Sequence, residues 1–445
     1  MTVYTVTGLG YGDEGKGTTV DYLARQGKSL VVRHNGGPQA GHNVVTPEGR
    51  HHEFSQFGSG HFAGADTYLS KHMLVMPGDM RMEARDLEQA HLGDDNPYSR
   101  MYVDEGCKII TPYHIALNRL QAYARGESCG RGVGEAMRQD IDRPDLTIRV
   151  QDIERDVQFP GTLFAKLESQ RGYLLDRSYR VSPSAWGEDT DEEKTLKGQG
   201  FGGPLSATLA DSYHDWNEWI NPVGGPWLST ALTEYENVIF EGAQGVLLDE
   251  WNGFHPYTTW STTTDANALS LLWEAHYDGP ATRLGITRAY ATRHGAGPFV
   301  TEDPSIHYDE PHNHTGQYQG AFRTGSLDLV ALRYALRVME GLAGLGRIDG
   351  LVVTHLDRAH HWNVIHRYAT NSFVVEDLNI NPFPHDLKRQ KLLTDQLMKT
   401  KPRYDRQTIV STNGLLATLE KLAPIFLKSY GPTFEDKQVI VPAIL

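Results

Sequence analysis

The sequence predicts an α/β fold with a large, mostly parallel central sheet, helices on both faces and accessory helical regions. Short apolar runs of strand length alternate with segments of helical spacing, which is typical of sheets built from strand–helix–strand units. A glycine-rich loop follows the first apolar run and precedes a helical segment. Ligands of such sheets gather in loops at the carboxyl ends of the strands, so we expect functional side chains there.

The elements follow one another along the whole chain. Apolar runs predict strands at residues 3–6, 29–33, 68–76, 238–240, 284–286, 350–353 and 408–410. Helical spacing predicts helices at residues 18–25, 115–125 and 327–339. In the second of these, Leu117 and Leu120 share one face.

One region departs from this alternation. Residues 151–235 are more polar, with an acidic patch at residues 188–193 and glycine-rich pieces at 198–203 and 224–225. We expect this region to be an accessory part packed on the core, within a single domain that spans residues 1–445. A chain of 445 residues is long enough for one large α/β domain with such additions.

Composition limits the class of protein. The hydrophobic content of 39% and the charged content of 22% are ordinary for a globular protein. A net charge of −14 argues against a general nucleic-acid binder, which needs a basic face. Cys107 and Cys129 are the two cysteines, and their spacing suggests neither a disulfide framework nor a metal site. No leader segment and no membrane-length apolar run is evident, so we expect a cytoplasmic protein without a membrane partner.

The glycine loop at residues 8–17 has the spacing of a phosphate-binding loop. In such P-loops, backbone N–H groups and a lysine, here Lys16, bind nucleotide phosphates. Gly17 stands where a P-loop has the Ser or Thr that binds magnesium, and Asp13 lies inside the loop. A carboxylate beside phosphates repels them unless a metal intervenes or the acid takes part in chemistry. The loop therefore predicts a nucleotide site with a catalytic or metal-binding Asp; a tight strand-to-helix turn is the structural alternative.

Four further loops carry polar groups. They are residues 36–42, ending in His42; residues 240–245, followed by hydroxyl groups at 258–264; residues 130–134, followed by Arg138, Arg143 and Arg149; and residues 352–357, ending in Asp357. Imidazole suits proton transfer near neutral pH, hydroxyl and amide groups suit a phosphate or sugar, and arginine suits a phosphate. The structural alternatives are a core histidine, a turn, a solvated basic stretch and a helix N-cap.

Taken together and in this order, these segments resemble the adenylosuccinate synthetase family. The shared motifs are Gly-Asp-Glu-Gly-Lys-Gly at residues 12–17, Ala-Gly-His at 40–42, Tyr-His-x-Ala-Leu at 113–117, Gly-Arg-Gly-x-Gly at 130–134, Glu-Gly-Ala-Gln-Gly at 241–245, Leu-Leu-Asp at 247–249, Pro-Tyr-x-Thr at 256–259, Thr-Arg-x-Gly-Ala-Gly-Pro-Phe at 292–299, Arg-Thr-Gly-x-Leu-Asp at 323–328, Leu-Asp at 356–357 and Ser-x-Gly-Pro at 429–432. The resemblance spans nearly the whole chain.

The resemblance implies a ligase of purine biosynthesis that works in two steps. Asp13 would take the N1 proton of a 6-oxopurine nucleotide such as IMP, so that O6 attacks the γ-phosphate of a nucleoside triphosphate. The amino group of aspartate would then displace phosphate from carbon 6. His42 would donate a hydrogen bond or a proton to the phosphates, and Mg²⁺, held by Asp13 and the Gly41 carbonyl, would neutralise them.

The resemblance also assigns residues to each ligand. For the substrate nucleotide they are Asp13, Gln39, Cys129, Gln244 and Thr259, with Arg143 reaching the site from the partner subunit of a homodimer. For the triphosphate, GTP in the family, they are Gly12, Glu14, Gly15, Lys16, Gly17, His42, Asp357, Ser429 and Gly431. For the amino acid they are Arg323 and Thr324.

The chain departs from the family pattern at several of these positions. Gln39 stands for Asn, Cys129 for Thr, His355 for Lys and Tyr430 for Thr. The arginine-rich loop that binds aspartate and ribose in the family reads Thr-Gly-Gln-Tyr-Gln-Gly-Ala-Phe-Arg at residues 315–323, where one arginine remains. Losing arginine–carboxylate contacts costs on the order of a few kcal/mol unless they are replaced. His312, His314 and Arg293 are the nearby side chains that could replace them.

These departures leave alternatives open. A related ligase would act on GMP or dGMP, accept ATP as the donor or use another amino acid. A non-catalytic nucleotide sensor is disfavoured because Asp13, Lys16 and His42 are all retained. A P-loop kinase or GTPase is disfavoured by Gly17 and by the lack of a clear metal-binding Asp on a second strand.

Overall fold

The computed structural model of the protein describes residues 1–90, 96–125, 129–181, 190–200, 203–308, 310–311, 313, 320–341, 346–370, 374–383, 385–404 and 409–440. Its centre is a ten-stranded sheet in the order β5-β4-β3-β2-β6-β1-β7-β8-β9-β10. These strands are β1 (Thr2–Gly8), β2 (Ser29–Arg33), β3 (Asp66–Leu69), β4 (Met101–Asp104), β5 (Asn221–Val223), β6 (Asn237–Glu241), β7 (Ala281–Arg288), β8 (Gly350–Thr354), β9 (Ile425–Ser429) and β10 (Lys437–Val439).

All neighbouring strands of this sheet are parallel except β9 and β10. β1 is central, since Val3 pairs with Val238 of β6 on one side and with Ala281 of β7 on the other. The carboxyl ends of nine strands therefore meet at one edge of the sheet, where the site is built.

The helices lie on both faces of the sheet, as predicted. They are α1 (Lys16–Ala24), α2 (Pro77–Ala90), α3 (Pro112–Arg125), α4 (Val133–Asp142), α5 (Val150–Gln158), α6 (Thr162–Val181), α7 (Asp191–Leu196), α8 (Leu205–Asn217), α9 (Trp227–Ala231), α10 (Ala266–Glu274), α11 (Leu329–Gly341), α12 (Leu387–Leu397) and α13 (Thr412–Glu420). The described residues also contain five short 3₁₀ helices, at His61–Ala63, Pro97–Arg100, Pro144–Leu146, Val246–Leu248 and Phe434–Asp436.

Alternation along the strands explains this two-sided arrangement. Val3 of β1 faces a core that includes α9 and α10, whereas Val6 faces a core that includes Val20 and Leu23 of α1. Successive side chains of a strand point to opposite faces, so a strand buried on both faces reads as a continuous apolar run.

The accessory helices form their own core beside β4. Leu117 of α3, Leu167 of α6 and Trp216 of α8 are buried together there. The described part of residues 151–235 contains α5 to α9, a hairpin of two short strands and the edge strand β5. The assignment of residues 151–235 as an accessory region within one domain stays a prediction.

Shorter strands surround the main sheet. They pair as His42–Val45 with His51–Phe54, Leu74–Val75 with Lys108–Ile109, Gln199–Gly200 with Gly203–Pro204, Ala291–His294 with Phe322–Gly325, His361–Ile365 with Leu327–Asp328 and Ile409–Ser411, and Tyr368–Ala369 with Val374–Val375 and Lys401–Pro402.

Three predicted elements need correction. The strand predicted at residues 68–76 is two strands, because Met73 N–H bonds the Ser70 carbonyl in a turn between them. The helix predicted at residues 327–339 begins at Leu329, because Asp328 accepts the N–H groups of Val330 and Ala331 and caps it. The strand predicted at residues 408–410 is observed at Ile409–Ser411 in a small outer sheet, with residue 408 outside the described residues.

Membrane-spanning length and apolar character are not combined in any helix of the described residues.

Candidate active site

A cavity of about 460 Å³ opens at the carboxyl edge of the sheet. Loops after β1, β2, β6, β7, β8 and β9 enclose it, although their residues lie up to about 420 positions apart. The predicted site residues that line it are Gly12, Asp13, Gly15, Lys16, Gly17, Gln39, Gly41, His42, Gln244, Asp357, Ser429 and Gly431. The size is typical of a small-molecule site.

The glycine loop after β1 is folded around the carboxylate of Glu14. The Glu14 carboxylate accepts the N–H groups of Gly10 and Gly12 at 2.9 and 2.8 Å and the Lys16 ammonium at 2.6 Å. The Glu14 and Lys16 side chains are both nearly fully buried. Glu14 does not line the cavity, so its place is beneath the loop, where it holds Lys16, while Lys16 reaches the cavity wall.

Left-handed backbone turns bring Asp13 to the surface of this loop. Gly12 and Asp13 both have positive φ, at 94° and 61°. Glycine adopts this region freely, and Asp is among the few side chains that tolerate it. Asp13 lines the cavity, whereas Glu14 does not.

The position of Gly17 explains why no Ser or Thr stands there. A Cβ atom at residue 17 would lie 3.0 Å from Cβ of His42 and 3.1 Å from the Asn43 carbonyl oxygen. The close approach of α1 to the strand His42–Val45 thus takes the space that the P-loop hydroxyl group would need.

Asp13 is held at both its main chain and its side chain. Arg288 Nη1 donates to the Asp13 carbonyl at 3.0 Å, and His294 Nε2 lies 3.3 Å from Asp13 Oδ2. Burial alone would raise the pKa of Asp13, but the hydrogen bond and charge of His294, with Arg288, outweigh it and lower the pKa. Asp13 is therefore ionised at neutral pH and able to accept a proton or a cation.

His42 is held by a buried carboxylate. Its Nδ1 lies 2.5 Å from Oε1 of Glu241, the last residue of β6, and Glu241 also accepts the N–H and hydroxyl of Ser59. Burial would raise the pKa of Glu241, but the charge of Arg33 and the hydrogen bonds from His42 and Ser59 lower it to about 2. Burial lowers the pKa of His42 despite Glu241.

The other ring nitrogen of His42 is free for a ligand. Nε2 is buried and has no hydrogen-bond partner in the described part of the chain, and His42 lines the cavity. A Glu241 carboxylate on Nδ1 orients the ring with Nε2 available to a bound group.

Two side-chain amides beside His42 are also left unsatisfied. Both polar atoms of Gln39 and Oε1 of Gln244 are buried without a partner among the described residues. Gln244 has a φ of 55°, a left-handed turn directly after β6. Buried polar groups are rarely unpaired, so these amides indicate a polar ligand between the loops.

The far end of the cavity carries Asp357, Ser429 and Gly431. The Asp357 carboxylate lies 3.5 Å from Nε of Arg358, and the Ser429 hydroxyl donates to the Gly431 carbonyl at 3.1 Å. His355, in a left-handed turn at φ 60°, lies between β8 and Asp357. Burial lowers the pKa of His355 well below its usual value, so a neutral imidazole stands where the family has a lysine.

Several predicted site residues lie outside this cavity. Cys129 is half-buried, Thr259 donates its N–H to the Leu248 carbonyl, and Arg143 is exposed and paired with Asp145 at 2.6 Å. Arg143 does not line the cavity of its own chain.

The residues predicted for the amino acid are engaged elsewhere. Arg323 donates to Glu302 at 2.8 Å and to the Gly297 carbonyl at 3.0 Å, and the Thr324 hydroxyl donates to the Ile306 carbonyl. Arg293 is buried, and its guanidinium is occupied by the carbonyls of Ala296 and Pro298, so it does not replace the missing arginines in this arrangement. His312, His314 and residues 315–319 lie outside the described residues.

Sequence reasoning missed three residues around the site: Glu241, Arg288 and His294. Glu241 and His294 belong to the motifs at residues 241–245 and 292–299. Neither motif indicates which residue these side chains contact in the folded protein. The partners lie 199 residues apart for His42 and Glu241 and 275 for Asp13 and Arg288.

Comparisons with known proteins identify the family of the chain. A sequence model described as adenylosuccinate synthetase matches residues 5–415. The adenylosuccinate synthetase of Saccharophagus degradans is 32% identical over 361 residues, covering 78% of this chain and 77% of that protein. The one from Proteus mirabilis is 33% identical over 367 residues, covering 79% and 76%.

Two solved structures share the fold. The fully ligated adenylosuccinate synthetase from Plasmodium falciparum has a TM-score of 0.72 at 19% identity, covering 99% of this chain and 100% of that chain. The succinoaminodeoxyadenylate synthetase of cyanophage S-2L, bound to dGMP and dATP, has a TM-score of 0.54 at 14% identity, covering 98% and 95%. With a family match over most of its length and relatives above 30% identity, the chain belongs to the adenylosuccinate synthetase family of carbon–nitrogen ligases.

Proposed function

We propose that the protein joins L-aspartate to carbon 6 of a 6-oxopurine nucleotide, IMP in the first place, at the expense of a nucleoside triphosphate. The observation that carries this proposal is the joint presence of the ionised Asp13 carboxylate and the unpaired Nε2 of His42 on one cavity with Lys16. A proton acceptor, a hydrogen-bond donor to phosphate and a cation are the groups that such a reaction needs.

In the first step, Asp13 takes the proton from N1 of the purine and leaves negative charge on O6. O6 forms a bond to the γ-phosphorus, the bond from that phosphorus to the bridging oxygen breaks, and the nucleoside diphosphate leaves. Because Nδ1 of His42 donates to Glu241, His42 donates through Nε2 to the phosphate oxygens as the imidazolium, a form that the Glu241 carboxylate and the phosphate charge both favour.

In the second step, the aspartate nitrogen forms a bond to carbon 6 and the bond from carbon 6 to O6 breaks. Phosphate leaves with O6, and the amino nitrogen gives up one proton to water and stays bonded to carbon 6 as a secondary amine. The product is adenylosuccinate when the substrate is IMP.

Magnesium fits the residues present. Asp13 and Gly41 both line the cavity, and Mg²⁺ is commonly held by one or two carboxylates together with substrate phosphates. The described residues contain no cluster of three or more His, Cys, Asp or Glu side chains, which suits an ion that takes its remaining ligands from the triphosphate. When bound, the ion would neutralise phosphate charge.

The remaining contacts follow the family pattern. Gln39, Gln244, Cys129 and Thr259 would surround the 5′-phosphate of the substrate nucleotide, with Arg143 contributed by the neighbouring subunit of a homodimer. Gly12, Gly15, Lys16 and Gly17 would bind the triphosphate, and Asp357, Ser429 and Gly431 its base. Arg323 and Thr324 would bind aspartate once they exchange their present partners. A cytoplasmic location stays a prediction of the sequence.

A second candidate is a ligase that acts on GMP or dGMP with ATP as the donor. The solved cyanophage enzyme that shares the fold is bound to dGMP and dATP. A neutral His355, two residues before Asp357, also stands where the family has a lysine, so the surroundings of the triphosphate's base differ from the family pattern.

A substrate matrix distinguishes the two. The purified protein is incubated with IMP, GMP or dGMP, with GTP or ATP, and with or without aspartate, and products are identified by mass spectrometry. An aspartate adduct of IMP supports the first proposal, and an adduct of GMP or dGMP alone supports the second. Phosphate release without an adduct under every amino acid tested would overturn both.

A further inference from the structure

A closed ring of contacts surrounds Asp13 beyond the residues of the proposed reaction. His294 Nε2 lies 3.3 Å from Asp13 Oδ2 and 3.3 Å from Asn313 Oδ1. Asn313 Nδ2 donates to Glu310 Oε2 at 2.9 Å, and the other oxygen of Glu310 accepts from Arg288. Arg288 Nη1 closes the ring by donating to the Asp13 carbonyl at 3.0 Å.

This ring fixes which nitrogen of His294 carries the hydrogen. Because the Asn313 amide nitrogen donates to Glu310, its oxygen is the atom that faces the imidazole. Nε2 therefore faces two acceptors, an amide oxygen and a carboxylate oxygen. Only an N–H group satisfies both, so His294 donates through Nε2.

The imidazole itself is held firmly. His294 ends the short strand Ala291–His294, which pairs with Phe322–Gly325, and its ring lies 4.9 Å from the ring of Phe322, centroid to centroid. Its side chain is 16% exposed and lines the cavity. A side chain supported on two sides restricts the group that it contacts.

We propose that His294 is a positioning residue for Asp13. By donating to Oδ2 it holds the carboxylate in one rotation and leaves Oδ1 for the substrate. Among the described residues, no hydrogen bond to Asp13 Oδ1 is present. This inference rests on the role of Asp13 in the proposed function.

Three variants test it by kinetics. His294→Leu removes the donor, His294→Gln keeps an N–H group, and His214→Leu removes a similar contact elsewhere, since His214 Nε2 lies 2.9 Å from Asp156 Oδ2 between accessory helices. For His294→Leu we expect kcat to fall about tenfold or more with KM for both nucleotides within about twofold, because misplacing a reacting group lowers the rate without weakening binding. We expect His294→Gln to recover most of kcat and His214→Leu to leave it unchanged.

An unchanged kcat in His294→Leu would overturn the inference, and so would an equal loss in His294→Gln or a rise in KM at constant kcat. All variants are first compared by thermal unfolding, and His294→Gln carries the test if His294→Leu unfolds.

A second measurement is independent of turnover. In ¹⁵N-histidine NMR spectra, His294 should show a protonated Nε2 whose shift moves in Asp13→Asn and not in Asp156→Asn. An unprotonated Nε2, or an Nε2 shift that is the same in Asp13→Asn and wild type, would overturn the inference. A wild-type protein without activity in the substrate matrix would instead overturn the proposed function, and the NMR result would still decide the contact.

Discussion

Nδ1 of His42 lies 2.5 Å from Oε1 of Glu241, and both side chains are buried. His42 follows the loop after β2, and Glu241 is the last residue of β6. The strands β2 and β6 are neighbours in the sheet. This arrangement directs Nε2 of His42 toward the ligand space.

We expect His42→Ala to abolish product formation and Glu241→Gln to lower kcat by about 10- to 100-fold, because the imidazole loses its orientation but stays in place. Initial rates and mass spectrometry of the product measure both. Equal rates in Glu241→Gln and wild type would contradict the orienting role of the carboxylate.

The same carboxylate makes stability depend on pH. The pKa of Glu241 is about 2 in the folded protein against 4.5 as its ordinary value. A lowered carboxyl pKa stabilises the fold above pH 4.5, and this contribution, about 3 kcal/mol, is lost as pH falls toward 2. Urea unfolding of the wild type and of Glu241→Gln between pH 6 and pH 3 should show a shallower decline for the variant. Parallel curves would contradict this.

Asp13→Asn should lower kcat by at least about 100-fold while the protein stays folded, because the amide keeps the shape but cannot accept the N1 proton. Asn also tolerates the left-handed backbone at φ 61°. Circular dichroism and thermal midpoints serve as the control for folding. Near-normal turnover would show that another group accepts the proton.

Gly17→Ala should lower the free energy of unfolding by about 1–3 kcal/mol, because its Cβ would press on His42 and Asn43. Gly172→Ala is a matched control in helix α6, where no atom lies within 4 Å of the added Cβ. That change should be neutral or stabilise by up to about 1 kcal/mol. Urea unfolding of both variants measures the contrast, and equal stabilities would contradict the crowding.

Arg143→Ala should raise KM for the nucleoside monophosphate roughly 10- to 100-fold if the residue reaches a neighbouring site, because a charged contact to phosphate is lost. Stability should not change, since Arg143 is exposed and pairs only with nearby Asp145 among the described residues. Arg180→Ala removes a comparable exposed pair with Asp176 and should leave KM unchanged. An unaltered KM in Arg143→Ala would contradict a contribution of Arg143 to the site of the neighbouring subunit.

The sequence allowed the sheet and the loops of the site to be predicted because each depends on local pattern. Apolar runs identify β1, β2, β6, β7 and β8, and glycine-rich turns identify the loops after them. These signals sufficed to place Asp13, Gln39, His42, Gln244 and Asp357 at one edge.

What could not be predicted depends on contacts between distant segments. In the sequence, His294 is one of 20 histidines. Its place at the end of the strand Ala291–His294, and so its contact with Asp13, depends on the folded structure. The motif likewise does not show that the Glu14 carboxylate turns inward to Gly10, Gly12 and Lys16. The engagement of Arg323 by Glu302 also follows from tertiary packing alone.

The parallel order of the central sheet has a consequence for how such an enzyme changes over time. Each wall of the cavity belongs to a separate strand end, and the strands themselves are buried and fixed. Substitutions in one wall, such as the segment after β7, can thus change the cavity while the buried strands beneath it stay in place. Because His294 of that segment also contacts Asp13, such substitutions act on the glycine loop as well as on the cavity wall.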